Sequence, residues 1–473
     1  MSAPLVIDLD GTLIHSDLLL ESGLSFLKHH PLRLLAPVRW LATGKANLKS
    51  RLARCAPVDV SVLPYNDDVL QLINREKQQG RRIVLATASH KSYAQKIADH
   101  LGLFDQVLAS DEHTNLSAER KRDALVAEFG MQGFDYAGNS SDDLPVWQAA
   151  RRAYVVNSHG KISRRAHSHG NVESEIKREV QVARTWLKAL RVHQWAKNAL
   201  IFVPLLASHR LLETQLLLNG LLAFLFFGLC ASSVYVLNDL LDLEDDRHHA
   251  SKCRRPFASG ALSIRSGLLA FPLLLLAGFV GAALLLPWKF TVALGAYYLL
   301  TLAYSFWLKR RMAMDVIVLA MLYTSRIVAG TFAFSTRLTF WMLAFSMFIF
   351  LSLALVKRYA ELREARMKGK NQKTRGRGYY PDDLEMISSL GAASGYLSVM
   401  VLALYIQDAA TASMYHYPQL IWLACPLLLF WITRVWMLTH RGLMHDDPVV
   451  FAIKDRASLM IGACFALIFW VAA

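Results

Sequence analysis

"VYVLNDLLDLEDDRHHASKCRRP", residues 234–256, decides how this chain is read. Five carboxylates (Asp239, Asp242, Glu244, Asp245 and Asp246) fall within eight residues, directly after an apolar run, in a chain of formal net charge +15. Negative charge at the mouth of a membrane-length segment costs free energy unless a cation sits on it. Asn238, Asp239, Asp242 and Asp246 recur at helical spacing, which lines them along one helix face. Crowded carboxylates hold a hard divalent cation well, and Mg2+ in such sites bridges protein carboxylates to phosphate oxygens. Lys252, Arg254 and Arg255 follow closely and complete the charge balance on those oxygens. The stretch reads as a site for a metal-bound diphosphate; the alternative is a solvated acidic helix end.

Outward from this stretch, residues 199–473 are mostly apolar runs of spanning length, whereas residues 1–185 are mixed and charged like a soluble domain. Nine transmembrane helices are expected, near 199–213, 215–238, 266–286, 289–308, 313–335, 338–356, 386–407, 418–438 and 457–473. The first is short and carries Pro204. The loops near 239–265, 309–312, 357–385 and 439–456 hold the Lys and Arg residues, including the run "RMKGKNQKTRGR"; the opposite loops offer little beyond Arg210, Lys289 and Arg337. The positive-inside rule puts the basic loops and the N-terminal head in the cytoplasm, against a bacterial inner membrane. "PLVIDLDGTLIH" begins without a charged n-region and apolar h-region, so no cleaved signal peptide is expected. The five cysteines form no CxxC pair, which argues against a disulfide framework or a zinc site. The basic excess reads as a topology signal that also meets anionic headgroups, with no nucleic-acid partner expected. Residues 161–185, rich in His, Ser, Gly and mixed charge, read as a linker entering an amphipathic helix.

"NDLLDLEDD" fits the NDxxDxxxD motif of the UbiA superfamily of membrane prenyltransferases, which the chain resembles over about residues 185–473. The resemblance implies an all-α bundle of nine transmembrane helices that binds a diphosphate through Mg2+ on Asp239, Asp242 and Asp246, with Asn238 orienting the cluster or a water. "LRVHQWAKN", "DRHHASKCRRP", "YSFWLKRRMAMDV", "KRYAEL" and "HDDPVVFAIKDR" are similar to the decaprenyl-phosphate phosphoribosyltransferase branch. Aromatic prenyltransferases of the superfamily carry a second DxxxD motif after the sixth helix; here that loop has Glu361 and Glu364 but no DxxxD. One diphosphate site and one basic site suit a donor, phosphoribosyl pyrophosphate, and an anionic acceptor, a polyprenyl phosphate lipid. The acceptor oxygen needs no general base, so Lys197, Lys309, Arg310, Arg326, Lys357 and Arg358 are expected to position and neutralise it. Arg326 lies inside an apolar run and needs a buried anion, either substrate or a structural partner such as Asp315. Tyr304 and Tyr359 serve either the site or the interface.

In the head, "LVIDLDGTLIH" is a buried strand followed by an Asp-Gly turn. "QQGRRIVLATASH", "ERKRDALVAEFG" and "FDYAGNSSDDLPVW" continue an alternation of strands and helices, hence a doubly wound α/β domain with ligands at the C-terminal strand ends. A DxDGT turn suits covalent phosphoryl transfer. Over residues 1–160 the head resembles the haloacid dehalogenase superfamily, a Rossmannoid fold, with residues 14–78 as a helical cap. The resemblance makes Asp8 the nucleophile, Asp10 the general acid/base, Thr87 a phosphoryl ligand and Lys121 the charge neutraliser. Mg2+ is then held by Asp8, Asp10, Asn139 and Asp143 (or Asp142), with Asn139 standing where the family usually has Asp. A tethered phosphatase next to a transferase has a high effective concentration of its product, so the head is expected to remove the 5-phosphate of the ribosyl lipid. The alternatives are a quinone-type prenyltransferase with an attached phosphatase, or a head that only binds or regulates.

Overall fold

Leu5, Val6 and Ile7 are fully buried, as expected for a central parallel strand covered on both faces. The computed structural model describes residues 3–158, 160–168, 170–208, 210–369, 378–408, 415–444 and 447–472. The chain divides into two units, residues 1–190 with 235–271, and residues 191–234 with 272–473.

In the first unit β1 (Leu5–Ile7), β2 (Ile83–His90), β3 (Gln106–Ser110), β4 (Asp135–Gly138), β5 (Ala153–Val156) and β6 (Val172–Ile176) form one sheet in the order β3-β2-β1-β4-β5-β6. Every pairing is parallel. β1 lies between β2 and β4, so Asp8, Thr87 and Asn139 come from the C-terminal ends of three adjacent strands. Helix α1 (Leu18–His29) starts at Asp17, whose carboxylate accepts from the Leu19 and Leu20 amides. With helices Ala36–Ala42 and Lys45–Cys55 it builds a cap around buried Phe26, Leu48, Leu52 and Ala56. The stretch expected to be a linker contains instead a helix, Gly160–His167, and strand β6. Val172 and Ile176 turn inward on β6 while Glu173 and Ser174 stay exposed, so a short edge strand forms despite the polar composition. This unit also contains residues 235–271: the end of helix Thr214–Leu241, the short helix Leu243–Arg247 and the start of helix Ile264–Leu285.

The second unit is helical. Across the described residues six helices are long and apolar enough to cross a membrane, or up to seven if the pair Pro448–Lys454 and Arg456–Ala472, bent by 80°, is one span. The nine expected spans are not confirmed. Residues 199–213 do not form one helix: a 3-10 segment, Val192–Phe202, passes into the five-residue helix Val203–Ala207 at Pro204. Helix Trp288–Phe306 is outside the six, its apolar run diluted by Lys289, Thr291, Tyr297, Tyr298 and Tyr304. On helix Ile264–Leu285, Leu269, Leu273, Leu276 and Leu284 are exposed, a surface that suits lipid rather than water. Gly330 on helix Met314–Ala333 lets the Val192–Phe202 segment approach closely, since a Cβ there would run into the Ile201 carbonyl oxygen. Of the basic run after helix Phe340–Met367, residues 370–377 lie outside the described residues, as do His445 and Asp446.

Candidate active sites

In the head, Asp8 follows β1 directly and is buried. Lys121 Nζ donates to Asp8 Oδ1 at 2.7 Å and to the Tyr136 hydroxyl at 2.9 Å, and lies 3.5 Å from Asp143 Oδ1. Asp143 is fixed by the Tyr136 hydroxyl at 2.7 Å and by the Asn139 and Ser140 amides at 3.0 and 2.9 Å. Asp10 accepts from the Leu18 amide at 2.8 Å and the Ser89 hydroxyl at 2.7 Å. The Thr87 hydroxyl accepts from the Ser89 amide at 2.9 Å. Gly11 has φ +77°, and a Cβ there would strike the Asn139 side chain, so only glycine lets the turn lie against that amide.

Burial pushes the Asp8 carboxyl up to about 7, against the opposing pull of Lys121. Burial, then the charge of Asp17, pushes Asp10 up to about 6. For Lys121 desolvation works against the ammonium, but Asp8 and Asp143 outweigh it and raise its pKa. Asp143 is held below the usual carboxylate range, Lys121 and the Tyr136 hydroxyl overcoming the cost of burial. The two carboxyls thus differ: Asp143 is held charged, while Asp10 exchanges its proton at about 6, above the usual carboxylate range, which suits acid/base work.

At the stretch 234–256, helix Thr214–Leu241 carries Asn238 and Asp239 in its last turn, and Asp242 stands at the position before the next helix, Leu243–Arg247, without a side-chain capping bond. Asp239 and Asp246 are buried and converge on one nitrogen of Arg255, at 3.1 and 2.6 Å. Burial raises the Asp246 carboxyl, opposed by Arg255. Lys252 and Arg254 are exposed. Within the same unit α1 packs against this region. Lys28 Nζ lies 2.7 Å from Asp245 Oδ2 and 3.4 Å from Asp242 Oδ1. Arg247 meets Glu21 through two nitrogens at 2.9 and 2.6 Å, with both side chains almost fully buried. Arg265 Nη2 lies 2.7 Å from Asp17 Oδ2. Lys28, Glu21 and Asp17 were not legible as partners of the aspartate loop, because only tertiary packing brings residues more than 200 positions apart together.

In the second unit a basic cluster surrounds Asp447. Lys197 Nζ lies 2.7 Å and Lys357 Nζ 3.2 Å from its Oδ2, and the Tyr323 hydroxyl donates to it at 3.0 Å. Lys197 lies 5.4 Å from the centre of the Tyr323 ring. Arg326 donates to Asn198 Oδ1 at 3.2 Å and to the Leu322 carbonyl, with Phe227 and Tyr297 ring centres at 5.1 Å. The expected alternative partner of Arg326, Asp315, is engaged elsewhere. It lies 2.8 Å from Arg358 Nε and accepts from the Tyr304 hydroxyl at 2.8 Å. Arg358, also paired with Glu361, is fully buried, whereas Lys309 is half-buried and Arg310 exposed. The structure therefore brings Lys197, Lys357 and Arg326 together, and sets Arg358 and Tyr304 on Asp315 instead. Asp447 was missed; its signal was the Asp-Asp-Pro preceding an apolar run, the N-cap pattern it forms on helix Pro448–Lys454.

An α/β unit with a buried carboxylate–lysine site and an aspartate loop, and a helical unit with apolar spans and a basic cluster, define the class. Residues 199–454 match the UbiA prenyltransferase family, and the chain belongs to that family. Residues 5–148 match the haloacid dehalogenase-like hydrolases. The protein y4nM of Sinorhizobium fredii is 39% identical over 99% of this chain and 91% of its own length, so the similarity runs through both domains. Nodulation protein NoeC of Azorhizobium caulinodans is 36% identical over 60% of this chain and 92% of its own. A decaprenyl-phosphate phosphoribosyltransferase of Mycobacterium tuberculosis is 29% identical over 57% of this chain and 88% of its own. The chain is a multi-pass membrane enzyme of UbiA type with an N-terminal haloacid dehalogenase-like domain.

Proposed function

We propose that the membrane domain transfers 5-phosphoribose from phosphoribosyl pyrophosphate to a polyprenyl phosphate, and that the head then removes the 5-phosphate to leave polyprenyl-phosphoryl ribose. The observation that carries this reading is the contrast between two clusters: carboxylates converging on one cation at Arg255, and two lysines sharing the single carboxylate of Asp447. The first suits a metal-bound diphosphate, the second an anionic lipid headgroup. The similarity to a decaprenyl-phosphate phosphoribosyltransferase supports the choice of donor and acceptor.

The hard oxygen donors fit Mg2+, with Asp239 and Asp246 already gathered about one positive group. Asp239, Asp242 and Asp246 would hold it, and when bound it neutralises charge on the departing pyrophosphate. Arg255 would supplement that charge, and Lys197, Lys357 and Arg326 are the cations suited to a lipid phosphate; in the reaction proposed, the phosphate oxygen bonds to ribose C1 as the C1–O bond to pyrophosphate breaks. The attacking oxygen is already anionic and needs no base. In the head, Asp8, Asp10, Asn139 and Asp143 would hold Mg2+. Asp8 attacks phosphorus to form an aspartyl phosphate, Asp10 gives a proton to the departing ribose oxygen and then takes one from water, and Lys121 and Thr87 hold the phosphoryl oxygens. The excess of Lys and Arg in the loops on one side supports a cytoplasmic head on a bacterial inner membrane.

Membranes incubated with radiolabelled phosphoribosyl pyrophosphate and a polyprenyl phosphate should move label into the lipid phase. Asp239→Asn or Asp242→Asn should abolish that transfer and leave hydrolysis of a small phosphoester by the head intact. Near-normal labelling by either variant at limiting Mg2+ overturns the metal assignment. Prenylation of a hydroxybenzoate or naphthoate under matched conditions, without lipid labelling, supports the quinone-type alternative.

A further inference from the structure

The cap presents a face with no counterpart in the two centres. Leu32 is 99% exposed, Leu34 60%, Leu35 73%, Val38 64% and Leu41 49%. On the same segment Ala36 and Trp40 turn inward, Trp40 meeting Phe26 edge-on at 5.1 Å within the cap core. Residues 34, 35, 38 and 41 recur at helical spacing, so the outward apolar side chains share one face of helix Ala36–Ala42 and the turn before it. Five large apolar side chains open to water within ten residues mark an interaction surface rather than ordinary surface scatter.

Two further observations identify the occupant. From Ser22 to Val58 the chain has no Asp or Glu but seven Lys or Arg residues (Lys28, Arg33, Arg39, Lys45, Lys49, Arg51 and Arg54), and Arg33, Arg39 and Lys45 are exposed beside the leucines. Apolar side chains rimmed by cations match an anionic lipid surface. The segment is also held at the end of a spanning helix. Lys28 lies 3.4 Å from Asp242, the residue following helix Thr214–Leu241, and the buried Glu21–Arg247 pair secures α1 there. Pro31 follows Lys28 by three residues, at most about 10 Å of chain. The apolar face thus begins a short length of chain from the contact with Asp242, the residue that follows a helix long and apolar enough to span.

We propose that the cap segment 31–42 is a monotopic membrane contact. Leu32, Leu34, Leu35, Val38 and Leu41 enter the headgroup region of the membrane that the same chain spans, with Arg33, Arg39 and Lys45 on anionic lipid phosphates. The contact seats the mouth of the head at the lipid surface, where a phosphate monoester anchored in the bilayer is presented to Asp8; only this last consequence rests on the function proposed above.

The test uses full-length protein in nanodiscs, with exposed Cys55 and Cys464 changed to Ser. Leu35→Cys carries an environment-sensitive fluorophore, and Met131→Cys, an exposed site elsewhere on the head, carries the same label as control. Headgroup-region nitroxide lipids should quench the label at 35 strongly and the label at 131 weakly, more in discs containing phosphatidylglycerol than in phosphatidylcholine alone. Equal quenching at the two sites overturns the proposal, as does crosslinking from Leu35→Cys into a second copy of the chain. The pair Leu34→Gln with Val38→Gln, both at exposed positions beside the label at 35, should abolish the quenching difference. It should also lower kcat/KM on a bilayer-embedded phosphate monoester about tenfold, with hydrolysis of p-nitrophenyl phosphate unchanged. Retained quenching in that pair overturns the contact. Quenching at 35 without any preference for the embedded ester leaves the contact standing and overturns the lipid-phosphatase reading.

Discussion

At Asp10 a single carboxylate shows how local structure tunes chemistry. The turn after β1 buries it, Leu18 and Ser89 donate to it, and Asp17 stands close enough to repel its charge. A general acid must carry its proton, and with a pKa raised to about 6 the protonated fraction falls as pH rises through that value. Hydrolysis of an ester with a poor leaving group should therefore decline about tenfold per pH unit above that limb, which bound Mg2+ shifts lower. With p-nitrophenyl phosphate, whose leaving group needs no proton, the limb should flatten; identical pH profiles for the two esters would remove Asp10 from the acid role. Asp8 and Asp10 were legible from DxDGT alone. The paired placement of Lys197 and Lys357 on Asp447 was not, because a carboxylate 250 positions from Lys197 gives no local periodic signal.

Among the elements, the segment Val192–Phe202 holds the basic cluster by close backbone approach. Lys197 and Asn198 are buried on it, and Gly330 on helix Met314–Ala333 leaves room for the Ile201 carbonyl. Gly330→Ala must push that segment away, so it should lower both the melting temperature of the purified protein and the rate of lipid labelling. Gly462→Ala, inside helix Arg456–Ala472 with open space around it, should leave the labelling rate unchanged and hold or slightly raise the melting temperature. An unchanged Gly330→Ala protein would mean that the packing is looser than the geometry implies. The sequence suggested a spanning helix at 199–213; Pro204 and tertiary packing made it a 3-10 segment and a short helix instead. Apolar composition reports where a segment resides, and only hydrogen-bonding geometry decides how it winds.

For the whole molecule, the question is whether two reactions run in series. Asp8→Asn removes the attacking carboxylate without touching the aspartate loop, so transfer should persist and the ribosyl lipid should keep its 5-phosphate, one phosphate heavier by mass. If purified Asp8→Asn protein yields the same lipid as wild type, the head acts on something else. By itself the sequence determined the membrane character of residues 199–473, the α/β head, the carboxylates of both motifs and a family membership that the match over residues 199–454 bears out. These follow from residue type, short-range spacing and turn chemistry, which are local. Only the tertiary structure decided that the aspartate loop, residues 235–271, packs in one unit with the head, that Arg255 draws Asp239 and Asp246 together, and that Arg358 rather than Arg326 pairs with Asp315. A buried charge takes whichever opposite charge the packing of distant elements brings within reach, and no spacing along the chain encodes that choice.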